Sequence, residues 1–333
     1  MSDERPVYIV DGMNLFVRSW SAYPQMTSNG EQFGGCIGFL KSLQRIVREY
    51  QPSAVVVAWE GGGSQRRRKL FPDYKAHRRP VKLNRFYGDD IPESEDNKQH
   101  QLVSLISMLR SVPVCQVYAS DCEGDDIIAY LCKGHFRDRP KVVVSSDKDM
   151  YQLLDETTTI YSLHRKRFIA ANDIFEEHNV KTHNFALAKC LCGDDSDNIP
   201  GIKGLGYKTA ATKFPFLGSD NVVLVQELLD FAASHSSESP VYKRVFESAS
   251  DVKRNWQLVH LDGSMLAPEQ MKKVDHAVDT YVPSMDKMSL LRSLIKSGIN
   301  DFDTEQFCYD FSCIEGLRYS SAETNANARK RTV

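Results

Sequence analysis

Short apolar runs recur through the first half of the chain, each ending in polar or glycine-containing segments. Residues 7–10 (VYIV), 54–59 (AVVVAW), 114–118 (VCQVY), 141–144 (KVVV) and 159–162 (TIYS) have the length and β-branched content of buried strands. Between them the apolar period changes to that of a helix. In 38–50, Phe39, Leu40, Leu43, Ile46 and Val47 fall on one side, and 101–110 and 123–133 carry similar spacing. Strands alternating with helices predict an α/β domain whose central sheet is mainly parallel and flanked by helices. After about residue 183 the strand pattern fades. Residues 186–191, 207–214, 221–233 and 287–297 read as helices, so a mainly helical C-terminal part is expected over 184–320. The final stretch, 321–333, is small, polar and then basic, which predicts a flexible tail.

Composition narrows the class. The 333 residues carry 42 basic and 44 acidic side chains, a net charge of −2, so any strongly charged surface must come from local blocks. Eight cysteines contain no CxxC pair, and the spacing of Cys190 and Cys192 fits no common zinc site; reduced, buried thiols are expected. No stretch approaches the roughly 18 apolar residues of a membrane span, and MSDERPVYIVDG lacks the pattern of a secretory signal. A soluble, intracellular protein is expected.

The acids supply the first candidate chemistry. Asp11, Glu60, and Asp147 with Asp149 each follow a strand. In parallel α/β sheets the carboxyl ends of strands lie along one edge, where sites form. Glu123, Asp125 and Asp126 open a helix, and Asp194, Asp195 and Asp197 lie in the turn-like CGDDSDNIPG. Singly, each has an ordinary use: Asp11-Gly12 as a turn, the 123–126 acids as a helix cap. Gathered at one edge they would repel by about 4 kcal/mol per close pair at an effective dielectric of 20. A divalent cation removes that cost. Oxygen ligands without histidine or cysteine suit Mg²⁺, with Mn²⁺ as a substitute, and the surplus of carboxylates suggests two ions.

Two further stretches point to nucleic acid. Residues 65–85 hold Arg66, Arg67, Arg68, Lys69, Lys75, Arg78, Arg79, Lys82 and Arg85 against Asp73, with Phe71 and Tyr74 interleaved. Cations among aromatics suit a phosphate backbone and stacked bases, and a basic arch or loop over about 65–100 is expected. In NIPGIKGLGYKTAATKF (198–214), Tyr207 separates Gly206 from Lys208-Thr209, so the Walker A pattern fails. A dinucleotide fingerprint would need a preceding strand. A glycine hairpin entering a helix remains, with Gly204 and Gly206 permitting backbone angles closed to other residues, and with Lys203 and Lys208 adding charge beside phosphate-binding N–H groups.

Taken in order, IVDGMNLFVRS, FPDYKAHR, DCEGDDIIAYL, VVVSSDKDMYQLL, CGDDSDNIPGIKGLGYKTA and RNWQLVHLD resemble the 5′-nuclease family of flap endonucleases, phage 5′–3′ exonucleases and the 5′-nuclease domain of bacterial DNA polymerase I, in its phage-like branch. The resemblance covers about residues 5–215. It implies a PIN-like core followed by a helix–three-turn–helix element. By motif position Asp11, Glu60, Glu123 and Asp125 would serve one metal, and Asp147, Asp149, Asp194 and Asp197 a second, with Asp126 as a nearby ligand or outer acid. Lys75 and Arg78 would contact the scissile phosphate, acting with Asp11 and Asp147 in catalysis. Gly201, Lys203, Gly204, Gly206, Lys208 and Thr209 would grip duplex backbone with K⁺. The implied substrates are 5′-flap, nicked or 5′-single-stranded DNA and RNA–DNA hybrids. A monomer working in a bacterial cytoplasm is implied, with replication proteins as unidentified partners. One departure stands out: Trp59-Glu60 occupies the place of the family's Phe-Asp. The rival readings are a PIN-type ribonuclease, a non-catalytic structure-specific DNA-binding protein and a Mg²⁺-dependent phosphatase.

Overall fold

A computed structural model describes residues 5–23, 25–28, 30–76 and 95–317. Its centre is a six-stranded sheet of β1 (Val7–Asp11), β2 (Ala54–Trp59), β3 (Cys115–Tyr118), β4 (Lys141–Val144), β5 (Thr158–Ser162) and β6 (Arg167–Ile169), in the order β3-β2-β1-β4-β5-β6. The first five strands are parallel, and β6 runs antiparallel to β5 along one edge. From β1 the chain builds outwards through β2 to β3. It then returns to the other side of β1 as β4. The reversal therefore lies between β1 and β4, where the chain leaving the two neighbouring strands turns to opposite faces of the sheet (Leu15 and Phe16 to one, Met150 and Leu153 to the other) and a crevice is expected.

The strands read as continuous apolar runs because both sheet faces are covered. Val7, Ile9, Val56, Ala58 and Val143 point to one face, and Tyr8, Val10, Val55, Val57 and Val144 to the other. The second face is packed by α1 (Gly12–Ala22), α2 (Gly34–Tyr50) and α4 (Glu95–Leu109). The first receives α5 (Gly124–Tyr130) and its continuation as a π turn, Leu131–His135. Between β2 and α4 lies α3 (Gln65–Leu70), and α6 (Ala171–His178) follows β6.

From Phe185 onwards the chain is helical: α7 (Phe185–Cys192), α8 (Tyr207–Lys213), α9 (Val225–Ser234), α10 (Pro240–Glu247), α11 (Ala249–Val259), α12 (Pro268–Asp279), α13 (Lys287–Lys296) and α14 (Thr304–Asp310). The core does not divide where the strands stop. Leu187, Leu191, Val252, Leu258, Val274 and Val278 join Ile9 and Val143 in one apolar cluster. Leu290, Leu294, Phe307 and Phe311 join Val10 and Val57 on the opposite face. Among the described residues no helix is long and apolar enough to cross a membrane.

Two local readings change. Asp11-Gly12 is no turn: Asp11 caps α1, its carboxylate accepting from the Asn14 N–H at 3.0 Å. The strand thus runs straight into a helix, and the aspartate is fixed at the junction. The 123–133 helix keeps α geometry only to Tyr130.

Candidate metal centre and nucleic-acid interface

The carboxyl edge of the sheet gathers the acids in two groups. Asp11, Glu60, Glu123, Asp125 and Asp147 line a cleft of about 750 Å³, together with Lys75, Lys98 and Arg18. Asp11 leaves β1 and Asp147 follows β4, so the pairing of Val10 with Val144 sets them side by side. Ser145 ties them together. Its hydroxyl donates to Asp11 at 2.9 Å and accepts from the Asp147 N–H at 3.1 Å. Burial pushes the Asp11 carboxyl up to about 7, the nearby Asp147 and Asp125 adding to it against the Asn14 and Ser145 hydrogen bonds. Burial likewise raises Asp147. Its carboxylate caps the following 3₁₀ turn by accepting from the Asp149 N–H.

The second group lies deeper. Oxygens of Asp149, Asp194 and Asp197 fall within 4.8 Å of one another. Lys189, 3 % exposed on α7, is ion-paired with both Asp149 and Asp194. Burial works against the lysine's charge, but the two carboxylates outweigh it and its pKa is raised. For Asp194, burial is outweighed by Lys189 and by the Ser196 hydrogen bonds, and the carboxyl sits below its usual range. The sequence reading missed Lys189. Its signal was a lysine inside an otherwise apolar helix, FALAKCLC, and buried lysines need a partner.

Asp147 is therefore placed with the cleft group, whereas Asp149, Asp194 and Asp197 sit together below. Tyr74 bridges the levels, its hydroxyl donating to Glu123 at 2.9 Å and Asp197 at 3.3 Å. Lys75 does the same, its ammonium 2.8 Å from Glu123 and 3.8 Å from Asp197. Its backbone is left-handed (φ 59°) and its N–H donates to the Asp197 carbonyl, which pins the lysine over the acids.

Two expected DNA contacts are corrected. Arg67 is 3 % exposed and grips Asp126 through both terminal nitrogens, at 2.8 and 2.7 Å, with Glu123 at 3.0 Å. Its Nε donates to the Leu258 carbonyl. Burial lowers the pKa of this guanidinium, but Asp125, Asp126 and Glu123 outweigh it, holding it well above the ordinary value. A residue so enclosed cannot reach a backbone phosphate; it orients the acids. Tyr74 is likewise buried, its hydroxyl turned to Glu123 and Asp197. Asp126 is turned towards Arg67 and is not among the residues lining the cleft. Arg66, Arg68 and Lys69 remain exposed on α3. Arg78 and Arg79 lie outside the described residues.

The hairpin between α7 and α8 is anchored by buried Ile202 and Leu205, with Gly201, Lys203, Gly204, Gly206 and Lys208 exposed and Thr209 half-buried. Gly204 does occupy the left-handed region (φ 81°). Gly206 does not: it caps α8 with extended backbone (φ −109°) and has open space where a side chain would go. The glycine required by packing is Gly201, whose Cβ would stand 2.1 Å from the Cys192 carbonyl oxygen.

Comparison with known proteins bears on the family and the fold. The family model for the 5′–3′ exonuclease N-terminal resolvase-like domain matches residues 6–183. A 5′–3′ exonuclease of Aquifex aeolicus is 27 % identical over 77 % of this chain and 82 % of its own length. The Bacillus subtilis 5′–3′ exonuclease is 31 % identical over 61 % of this chain and 67 % of its own. The thermostable DNA polymerase I of Thermus aquaticus is 28 % identical over 76 % of this chain, which spans only 28 % of that polymerase. Among solved structures, the bacteriophage T5 flap endonuclease in complex with DNA and metal ions superposes with a TM-score of 0.60 at 21 % identity, covering 88 % of this chain and 98 % of that one.

Proposed function

The chain belongs to the 5′–3′ exonuclease family, and from that membership we propose that it is a divalent-metal-dependent 5′ nuclease. Its substrates in this reading are DNA with a 5′ flap, nick or single-stranded 5′ end, and RNA–DNA hybrids. The observation that carries the reading is the cleft of about 750 Å³ at the sheet reversal, lined by six carboxylates (Asp11, Glu60, Glu95, Glu123, Asp125 and Asp147) and entered by Lys75.

The residues fit metal ions. Their donors are carboxylate oxygens with no histidine or thiolate among them, a set for Mg²⁺ or Mn²⁺. Asp11, Glu60, Glu123, Asp125 and Asp147 would hold ions in the cleft, and Asp149, Asp194 and Asp197 in the deeper group. Bound ions would supply Lewis acidity for water attack at phosphorus and offset charge on the phosphate oxygens. The protein's own groups prepare that chemistry. Asn14 and Ser145 fix the Asp11 carboxylate; Arg67, Tyr74 and Lys75 fix Glu123. Lys75 is placed to neutralise a phosphate entering the cleft. The exposed hairpin backbone with Lys203 and Lys208 would grip duplex, with K⁺ as its monovalent ion.

The test is incubation with a 5′-flap duplex, an RNA–DNA hybrid and a phosphate monoester, each with Mg²⁺ and with EDTA. Mg²⁺-dependent cleavage of the first two and none of the third is expected. Asp147→Asn should cut about 100-fold more slowly or worse with flap affinity retained. Cleavage by that variant at the wild-type rate, or in EDTA, would sink the metal reading. Cleavage of RNA alone would favour a ribonuclease, and tight binding without cleavage a non-catalytic DNA-binding protein.

A further inference from the structure

A second cavity, of about 610 Å³, opens beside the metal cleft and shares Met13 and Glu60 with it. Its other walls are Trp59, Leu102, Ile106, Val112, Val114, Gln116, Tyr118, Tyr281 and Val282, with Arg110 and Ser284 at polar positions. It lies between α4, the edge strand β3 and the segment after α12. None of the roles proposed above uses it. We propose that this cavity receives one unpaired nucleobase of the single-stranded 5′ segment, next to the phosphate held in the cleft. The proposal rests on the nuclease reading.

Three observations support a base as the occupant. The first is continuity: Glu60 and Met13 form the wall common to both cavities, so a chain whose phosphate lies among the acids has its neighbouring base at this opening. The second is the lining. Ligand cavities of this volume, mostly apolar with a few polar groups, suit a planar aromatic group, and unstacked bases gain about 1–3 kcal/mol each from aromatic side chains. Tyr118, on β3, and Val282 both line the cavity and both stand 58 % exposed. Arg110 also lines the cavity and is exposed, a cation available to the backbone of the strand.

The third is preorganisation. The Trp59 indole stacks on Phe39 at 5.8 Å and donates to Gln116 at 3.0 Å, and Gln116 in turn donates to the Ile106 carbonyl. Gly12 makes room for that ring, since a Cβ there would stand 2.6 Å from Trp59 Cε3. The wall is thus rigid before ligand arrives, which reduces the ordering cost of binding.

The experiment measures affinity, in EDTA, for 5′-flap duplexes in which successive nucleotides beside the junction are made abasic one at a time. Wild-type protein should bind one of them about 10-fold more weakly and the rest normally. Tyr118→Ala and Val282→Trp, both at exposed positions, should lose a similar factor on the intact flap and become insensitive to that abasic site. Equal affinity of wild-type protein for every abasic duplex would overturn the proposal while the Mg²⁺ assay still stood, leaving the cavity to a small apolar ligand or a protein. So would variants that remain as sensitive as wild type. Failure of wild-type protein to bind or cut any flap would overturn the nuclease reading and the base site together.

Discussion

Lys189 shows how a side chain can stand in for an ion. Three carboxylates within 4.8 Å would repel strongly in a buried setting, and the ammonium from α7 lies between two of them. Removing one partner of a buried ion pair leaves an uncompensated charge, at a cost of about 3–5 kcal/mol. Lys189→Ala should therefore lower the melting temperature of metal-free protein, and added Mn²⁺ should recover more of that loss than it adds to wild type. Melts with and without Mn²⁺ check this; an equal Mn²⁺ increment in both proteins would show that the trio does not bind the ion. Arg67 plays a comparable part on the other side, holding Asp126 and Glu123.

At the level of elements, α11 braces two regions far apart in sequence. Asn255, fully buried, donates to the carbonyls of Cys190 at 3.0 Å and Pro200 at 2.8 Å, at both ends of the loop carrying Asp194 and Asp197. Next to it, Arg254 lies over the Phe71 ring at 4.6 Å, and one turn on the Leu258 carbonyl accepts from Arg67. Asn255→Ala leaves the buried Cys190 carbonyl and the part-buried Pro200 carbonyl without that donor, so a loss of about 1–3 kcal/mol in urea unfolding is expected. An Asn255→Ala protein as stable as wild type would mean that the two bonds contribute nothing.

The strands were legible because both of their faces are buried: VYIV, AVVVAW and KVVV contain few alternatives to a central strand. Much of α1 was not, since GMNLFVRSWSA begins directly at Asp11 without an intervening turn. The three-residue β6, whose Arg167 and Phe168 are exposed, carried too little apolar pattern to register. For the site, acids following strands were readable from topology. The counter-charges were not. Arg67 sits in a run of four basic residues, and nothing in QRRRKL distinguishes the one that turns inwards from those facing water. That choice is made by α11 and α5, which meet α3 only in the folded chain.

For the whole molecule, the sheet and the helices after Phe185 share their apolar clusters on both faces. Neither could unfold without exposing the other's core. Thermal unfolding should accordingly be one transition, with the far-ultraviolet signal and tryptophan fluorescence of Trp20, Trp59 and Trp256 changing together. Two separated transitions would show that the helical part holds its own core. The near-zero net charge of −2 would leave long-range attraction to DNA weak; under the proposed hairpin grip, flap affinity should fall as salt rises, and Lys203→Ala or Lys208→Ala should each lower the slope by about one.

The ammonium carried by α7 also separates two events in the life of the protein. Zinc fingers remain unfolded until their ion arrives. Here a newly made chain already contains a cation for Asp149 and Asp194, so it can reach its final shape during metal scarcity and wait. Supply of the ion would then set when the molecule begins to work, not whether it survives until then.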